Sequence, residues 1–139
     1  MTLDDAIEQA IALNRQIKDG NIEPAYASMQ AQLAAVSQEL DISTLLPGGP
    51  SAELGMAAKK MDAPGFYAVF KSRIRANICA PSGEFGKLMQ PGLHGSVGAI
   101  VTALAAALSL PAVALPLLVS IAVLISQSGI EAFCKTTET

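Results

Sequence analysis

The stretch from Gly95 to Ser126, "GSVGAIVTALAAALSLPAVALPLLVSIAVLIS", carries no charged side chain. The charge gap is wider still, since no Asp, Glu, Lys or Arg stands between Lys87 and Glu131. About fifteen large aliphatic side chains lie within the stretch. Removing each from water gains roughly 1.5–3 kcal/mol, so leaving them exposed would outweigh a domain's whole net stability. The stretch has to be buried, and two environments can bury it: a bilayer, or the rest of the chain.

Prolines divide it. Pro111 and Pro116 each lack an N–H donor and clash with the preceding turn inside a helix, but suit a helix start. The sequence therefore predicts one helix from about Gly95 to Ser109. A second begins near Pro111 or Pro116 and ends near Cys134. The first has a small face (Gly95, Gly98, Ala99, Thr102, Ala103, Ala106) and a bulky one (Val97, Val101, Leu104, Leu108). Small residues at such spacing let another helix approach closely. The second is apolar all round from Leu115 to Ile125, and only Ser120 interrupts it. A helix of that kind needs neighbours on every side. Neither piece matches the ~20 apolar residues of a confident membrane span. Together they make a hairpin that either enters a membrane or forms the centre of a bundle, with the small face packed inward. The residues expected to carry insertion or helix packing are Gly95, Gly98, Thr102, Ala106, Leu117, Ile121 and Leu124.

The upstream part reads as amphipathic helices. Residues 2–19 begin at Thr2, a capping residue, with Asp4 and Asp5 in the positive first turn. Leu3, Ile7, Ala10, Ile11 and Ile17 mark the expected apolar face. Lys18 falls in the last turn and Gly20 closes the helix. In the next segment Ile22, Tyr26, Met29, Leu33, Val36 and Leu40 alternate steps of four and three. This seam is too short for an extended coiled coil. A hairpin with the first helix explains it most simply; self-association is the alternative. "LLPGGPS" then breaks the chain. A short helix is expected from Ser51 to Met61. A longer one is capped by Asp62, has Pro64 in its first turn, and is lined by Phe66, Phe70, Ile74 and Ile78. Pro81 stops it, and residues 80–95 read as loop. No segment alternates as a half-buried strand would. The expected fold is all-α: a helical bundle with an N-terminal helical hairpin and a C-terminal hydrophobic helix pair. The organisation divides into an amphipathic hairpin (1–46), a helical segment with a basic flank (47–94), the hydrophobic pair (95–134) and a polar tail (135–139).

The layout of the apolar pair resembles the hydrophobic hairpin of pore-forming colicin-type and Bcl-2-like domains. The resemblance covers about thirty residues and lies in composition and arrangement, without a shared motif. It implies a chain that folds in water with the pair sheathed by amphipathic helices, and then enters a bilayer.

Charge bears on the choice of partner. The chain has a net charge of -3. The acids concentrate before residue 54, whereas Lys59, Lys60, Lys71, Arg73, Arg75 and Lys87 gather ahead of the apolar stretch. A basic flank next to an apolar segment suits anionic headgroups and would hold the N-terminal part in the cytosol, at the inner or plasma membrane. The alternative is a cytoplasmic soluble module. So few bases argue against nucleic acid. The N-terminus "MTLDDAIEQA" has no secretory character. Cys79 and Cys134 are expected to be reduced, small apolar residues.

Catalytic patterns fail on inspection. "APSGEFGKL" has Pro81 where a P-loop needs Gly and Leu88 where it needs Ser or Thr. "HGSVG" has His94 where a nucleophile elbow needs Gly, and Ser96 is better placed as a helix cap. One His and two distant Cys form no metal cluster. No enzyme, cofactor or small-molecule substrate is expected, and the partners expected are membrane lipid or protein, including a second copy. His94, at the entry to the apolar stretch, offers a pH-dependent charge that would trigger insertion.

Overall fold

The computed structural model describes residues 2–18, 20–39, 41–42, 52–60, 62–79, 97–108 and 112–128. Among these residues there are six α-helices and no strand. They are α1 (Leu3–Gln16), α2 (Glu23–Ser37), α3 (Ala52–Lys59), α4 (Ala63–Ile78), α5 (Val97–Leu108) and α6 (Leu115–Ser128), with a short 3-10 turn, Ala112–Ala114, leading into α6. The fold is an all-α helical bundle.

Local chemistry explains the boundaries. Thr2 caps α1 through a capping box: its hydroxyl accepts from the Asp5 N–H at 3.2 Å, and the Asp5 carboxylate accepts from the Thr2 N–H at 3.1 Å. Hydrogen bonding from Thr2, first from its backbone N–H and then from its side chain, stabilises the charged carboxylate and holds Asp5 below its ordinary range. The helix stops at Gln16, earlier than the sequence suggested, because Ile17 turns to extended backbone and packs against the core. Lys18 thus lies outside the helix, and Gly20 takes a positive φ of 74° in the turn toward α2. Pro24 occupies the first turn of α2. Asp62 caps α4, its Oδ1 accepting from the Gly65 N–H at 3.0 Å. Pro116 is the second residue of α6, where its missing donor costs nothing.

The centre of the bundle is α6. Every residue from Leu117 to Ile125 is buried, Ser120 included. Its neighbours are α1, α2, α5 and the 3-10 turn. The helix that is apolar on all sides is therefore enclosed on all sides by its own chain. One cluster of buried side chains runs from Ala6 to Ile125. On the far side of α2, α3 and α4 pack together, and Phe66, Phe70 and Ile74 form the buried face of α4. The Phe66 and Phe70 rings stack with centroids 6.3 Å apart.

Three expectations change in detail. The buried face of α1 is Ala6, Ala10 and Leu13, whereas Ile11 is exposed. The α2 seam is turned chiefly to α6, because α1 and α2 touch each other far less than each touches α6. On α5 the bulky face goes inward: Val97, Val101 and Leu104 are buried, while Thr102 and Ala106 are exposed. The expected small face is thus split: Ala103 is buried and Gly98 lies against α1, whereas Thr102 and Ala106 lie outside. The larger side chains bury more apolar area against α1 and α6, and that gain decides the rotation of the helix.

Candidate functional site

The feature that most defines this chain is its apolar helix pair, in which α6 is covered by α1, α2 and α5, while α5 packs one face on α1 and α6 and leaves the other outside. Of the residues expected to carry insertion or packing, Leu117, Ile121 and Leu124 are buried in α6. Gly98 lies against α1, where a Cβ would stand 3.2 Å from Ile7 Cγ2. Thr102 and Ala106 face outward, and the Thr102 hydroxyl donates back to the Gly98 carbonyl at 3.0 Å. Of the seam, Met29, Leu33 and Val36 are buried and Ile22 and Tyr26 are partly buried. Gly95 and Leu40 lie outside the described residues, as do His94, Ser96 and Cys134.

Two side-chain hydrogen bonds join α6 to the sheath. Midway along it, the Ser120 hydroxyl donates to Gln32 Oε1 of α2 at 2.7 Å. Gln32 in turn donates from Nε2 to the Ser28 hydroxyl at 3.0 Å. The one polar side chain in the buried run of α6 thus has a partner, as burial in apolar surroundings requires. At the end of α6, Gln127 Nε2 donates to Asn14 Oδ1 of α1 at 2.7 Å. The amides Asn14, Gln32 and Gln127 were not singled out by the sequence. For Gln32 the one signal was that Ser120 is a polar residue in an apolar run and so demands a partner.

Two clefts open along α2, toward α4. One, of about 230 Å³, has Glu23, Tyr26, Gln30 and Asp62 in its wall. The other, of about 310 Å³, lies where α2, α4 and the end of α6 converge, and its described lining is Gly20, Ile22, Tyr26, Tyr67, Lys71, Leu124 and Gln127. Burial pushes the Tyr67 hydroxyl well above the ordinary tyrosine range, and the neighbouring Tyr26 adds to the shift. Tyr26 is raised as well, first by burial and then by Glu23.

Among the described residues no group of three or more His, Cys, Asp or Glu could hold a metal ion. Nor is any described helix long and apolar enough to cross a membrane. At 1.5 Å per residue, α5 and α6 measure about 18 and 21 Å, against a hydrocarbon core of ~30 Å. Cys79 is disulfide-bonded, which corrects the expectation of a reduced thiol. The distance along the chain between two cysteines does not decide whether folding brings their Cβ atoms into bonding range. Comparison of the chain with known protein families, with characterised proteins and with solved structures gives no match.

Proposed function

We propose that this chain is a non-enzymatic all-α interaction module, an adaptor or subunit, whose charge-free stretch serves as its own core. The observation that carries the reading is the burial of α6 from Leu117 to Ile125 by helices of the same chain. A segment enclosed in this way satisfies the sequence's need for burial without lipid. Its partner is then a protein, or a second copy, met by the outer faces of the sheath.

The test is expression without detergent, fractionation and a carbonate wash of the membranes. Recovery of a helical protein of defined size in the soluble fraction supports the module. Retention in carbonate-washed membranes sinks it.

A second reading has its own observation. Only two of the side-chain hydrogen bonds between described residues join α6 to the sheath. In that reading the module is conditionally membrane-active: the pair leaves the sheath and enters an anionic bilayer, with the N-terminal part held on the cytosolic side. Release of a trapped dye from anionic liposomes by the purified soluble form distinguishes it. Intact liposomes at neutral and acidic pH eliminate it.

A further inference from the structure

The outer face of α3 is ordered in a way that its own packing does not require. α3 packs on α4 and α2, and its Ala57 is buried. On the other side Ala52, Glu53, Met56, Lys59 and Lys60 are all exposed. They stand three and four residues from Met56, so they share one side of the helix. Met56 lies in the middle and is 55% exposed, against 36% for Ile11 and Val113. Glu53 falls in the first turn and Lys59 in the last. The helix dipole accounts for that order of charges, but not for a large apolar side chain left in water between them. Nor do the charges meet within α3. Glu53 and Lys60 are about 10 Å apart along the axis. Four residues on from Glu53 stands Ala57, and four back from Lys60 stands Met56. An acid, an apolar residue and two bases in that order are complementary to the same face run the other way.

We propose that two copies of the chain associate through α3, with the two helices antiparallel about a twofold axis at Met56. Met56 then packs on Met56 of the second copy. Glu53 meets Lys59 and Lys60 of the second copy, and the axis repeats the match at the other end. Such a twofold uses one patch twice, the commonest arrangement of homodimers. An anionic lipid surface would match the lysines but repel Glu53, so charge favours the second copy. One helix of about 12 Å covers far less than the ~800 Å² per partner of a standard interface, so the dimer is transient. The proposal rests on the interaction-module reading and names its partner.

The experiment is sedimentation velocity of the full chain from about 1 μM to about 1 mM, in low and in high salt. A reversible shift from monomer to dimer, weakened by salt, is expected. Met56→Gln should weaken the dimer about tenfold, the scale of one buried apolar side chain. Glu53→Lys makes the face wholly basic, and Lys59→Glu with Lys60→Glu makes it wholly acidic. Each of these alone should stay monomeric. An equal mixture of the two should restore the dimer, which a misfolded variant could not do. Retention of the native chain in carbonate-washed membranes would overturn both the module and this dimer. A soluble chain that stays monomeric, with or without capture by anionic vesicles, would overturn the dimer alone. So would a dimer that persists in both charge-reversed variants, or a mixture that stays monomeric although both variants keep their helicity.

Discussion

The Ser120 hydroxyl lies 2.7 Å from Gln32 Oε1, a polar bond between the buried centre of α6 and the helix that covers it. Ser120 is fully buried, so the bond offsets a desolvation cost as well as joining two elements. It also sets the depth at which α6 sits, because a shift along the axis would leave the hydroxyl among aliphatic side chains.

Gln32→Met is expected to cost about 1–3 kcal/mol, the penalty of stranding a buried hydroxyl. Part of this is recovered if Ser120 turns back to the carbonyl four residues earlier. Ser120→Ala in the Gln32→Met background removes the stranded group. The double variant should therefore be more stable than the sum of the single changes by at least about 0.5 kcal/mol. Urea unfolding of the four proteins gives the coupling, and strict additivity would mean that the bond contributes nothing.

At the start of α4, a Cβ on Gly65 would collide with the Asp62 carboxylate, which caps this helix. Asp62→Ala should cost about 1 kcal/mol. Gly65→Ala in the native background should fail to give the usual gain of replacing a helical glycine, since it displaces the cap. In the Asp62→Ala background the same substitution should become stabilising. Thermal unfolding of the set checks this reversal of sign.

Gly98 and Ala106 belong to one small face but have different surroundings. Gly98→Leu forces atoms into Ile7, already 3.2 Å from the Cβ position, and should destabilise by about 1–3 kcal/mol. Ala106→Leu adds a side chain at an exposed site and should change stability by less than about 0.5 kcal/mol. Denaturant midpoints separate the two. Sedimentation of Ala106→Leu then shows whether the outer face assembles copies, since loss of an oligomer there would locate the contact.

The raised tyrosines give a pH dependence with a definite sign. The folded state holds the Tyr67 proton above the ordinary value of 10.0, so it binds more protons than the unfolded chain at alkaline pH. Its contribution to stability is fully present below about pH 10 and is lost as pH rises beyond that value. Once the unfolded phenol is ionised, the slope is about 1.4 kcal/mol per pH unit. Tyr67→Phe should flatten this alkaline decline. Phenolate absorbance during titration should show both tyrosines ionising late, with Tyr67 the later.

Much of the fold was legible in the sequence, and the exceptions have physical causes. Pro116 marked the start of α6, and Met29, Leu33 and Val36 marked a real buried seam, because steps of three and four survive in any tertiary context. On α1 the expected Ala10 is buried, but Ala6 was missed because small residues signal burial weakly although they permit the closest approach. The rotation of α5 was hidden because both its faces are apolar. Nothing in a seam says which helix fills it, so α2 was paired with its neighbour in sequence when α6 fills it. The polar links escaped notice because amides on exposed helix faces are ordinary until their partners are known.

The position of α6 also bears on when this protein can become itself. The two amide and hydroxyl links to the centre join residues 88 and 113 positions apart. Such distant pairings slow folding, because the chain loses the entropy of closing a long loop before any contact rewards it. On the ribosome, α1 and α2 emerge first and wait with their apolar faces uncovered until the last of the six helices arrives. Assembly is therefore a late, all-at-once event around a newly made segment. Until that segment arrives, those faces are apolar surface open to water.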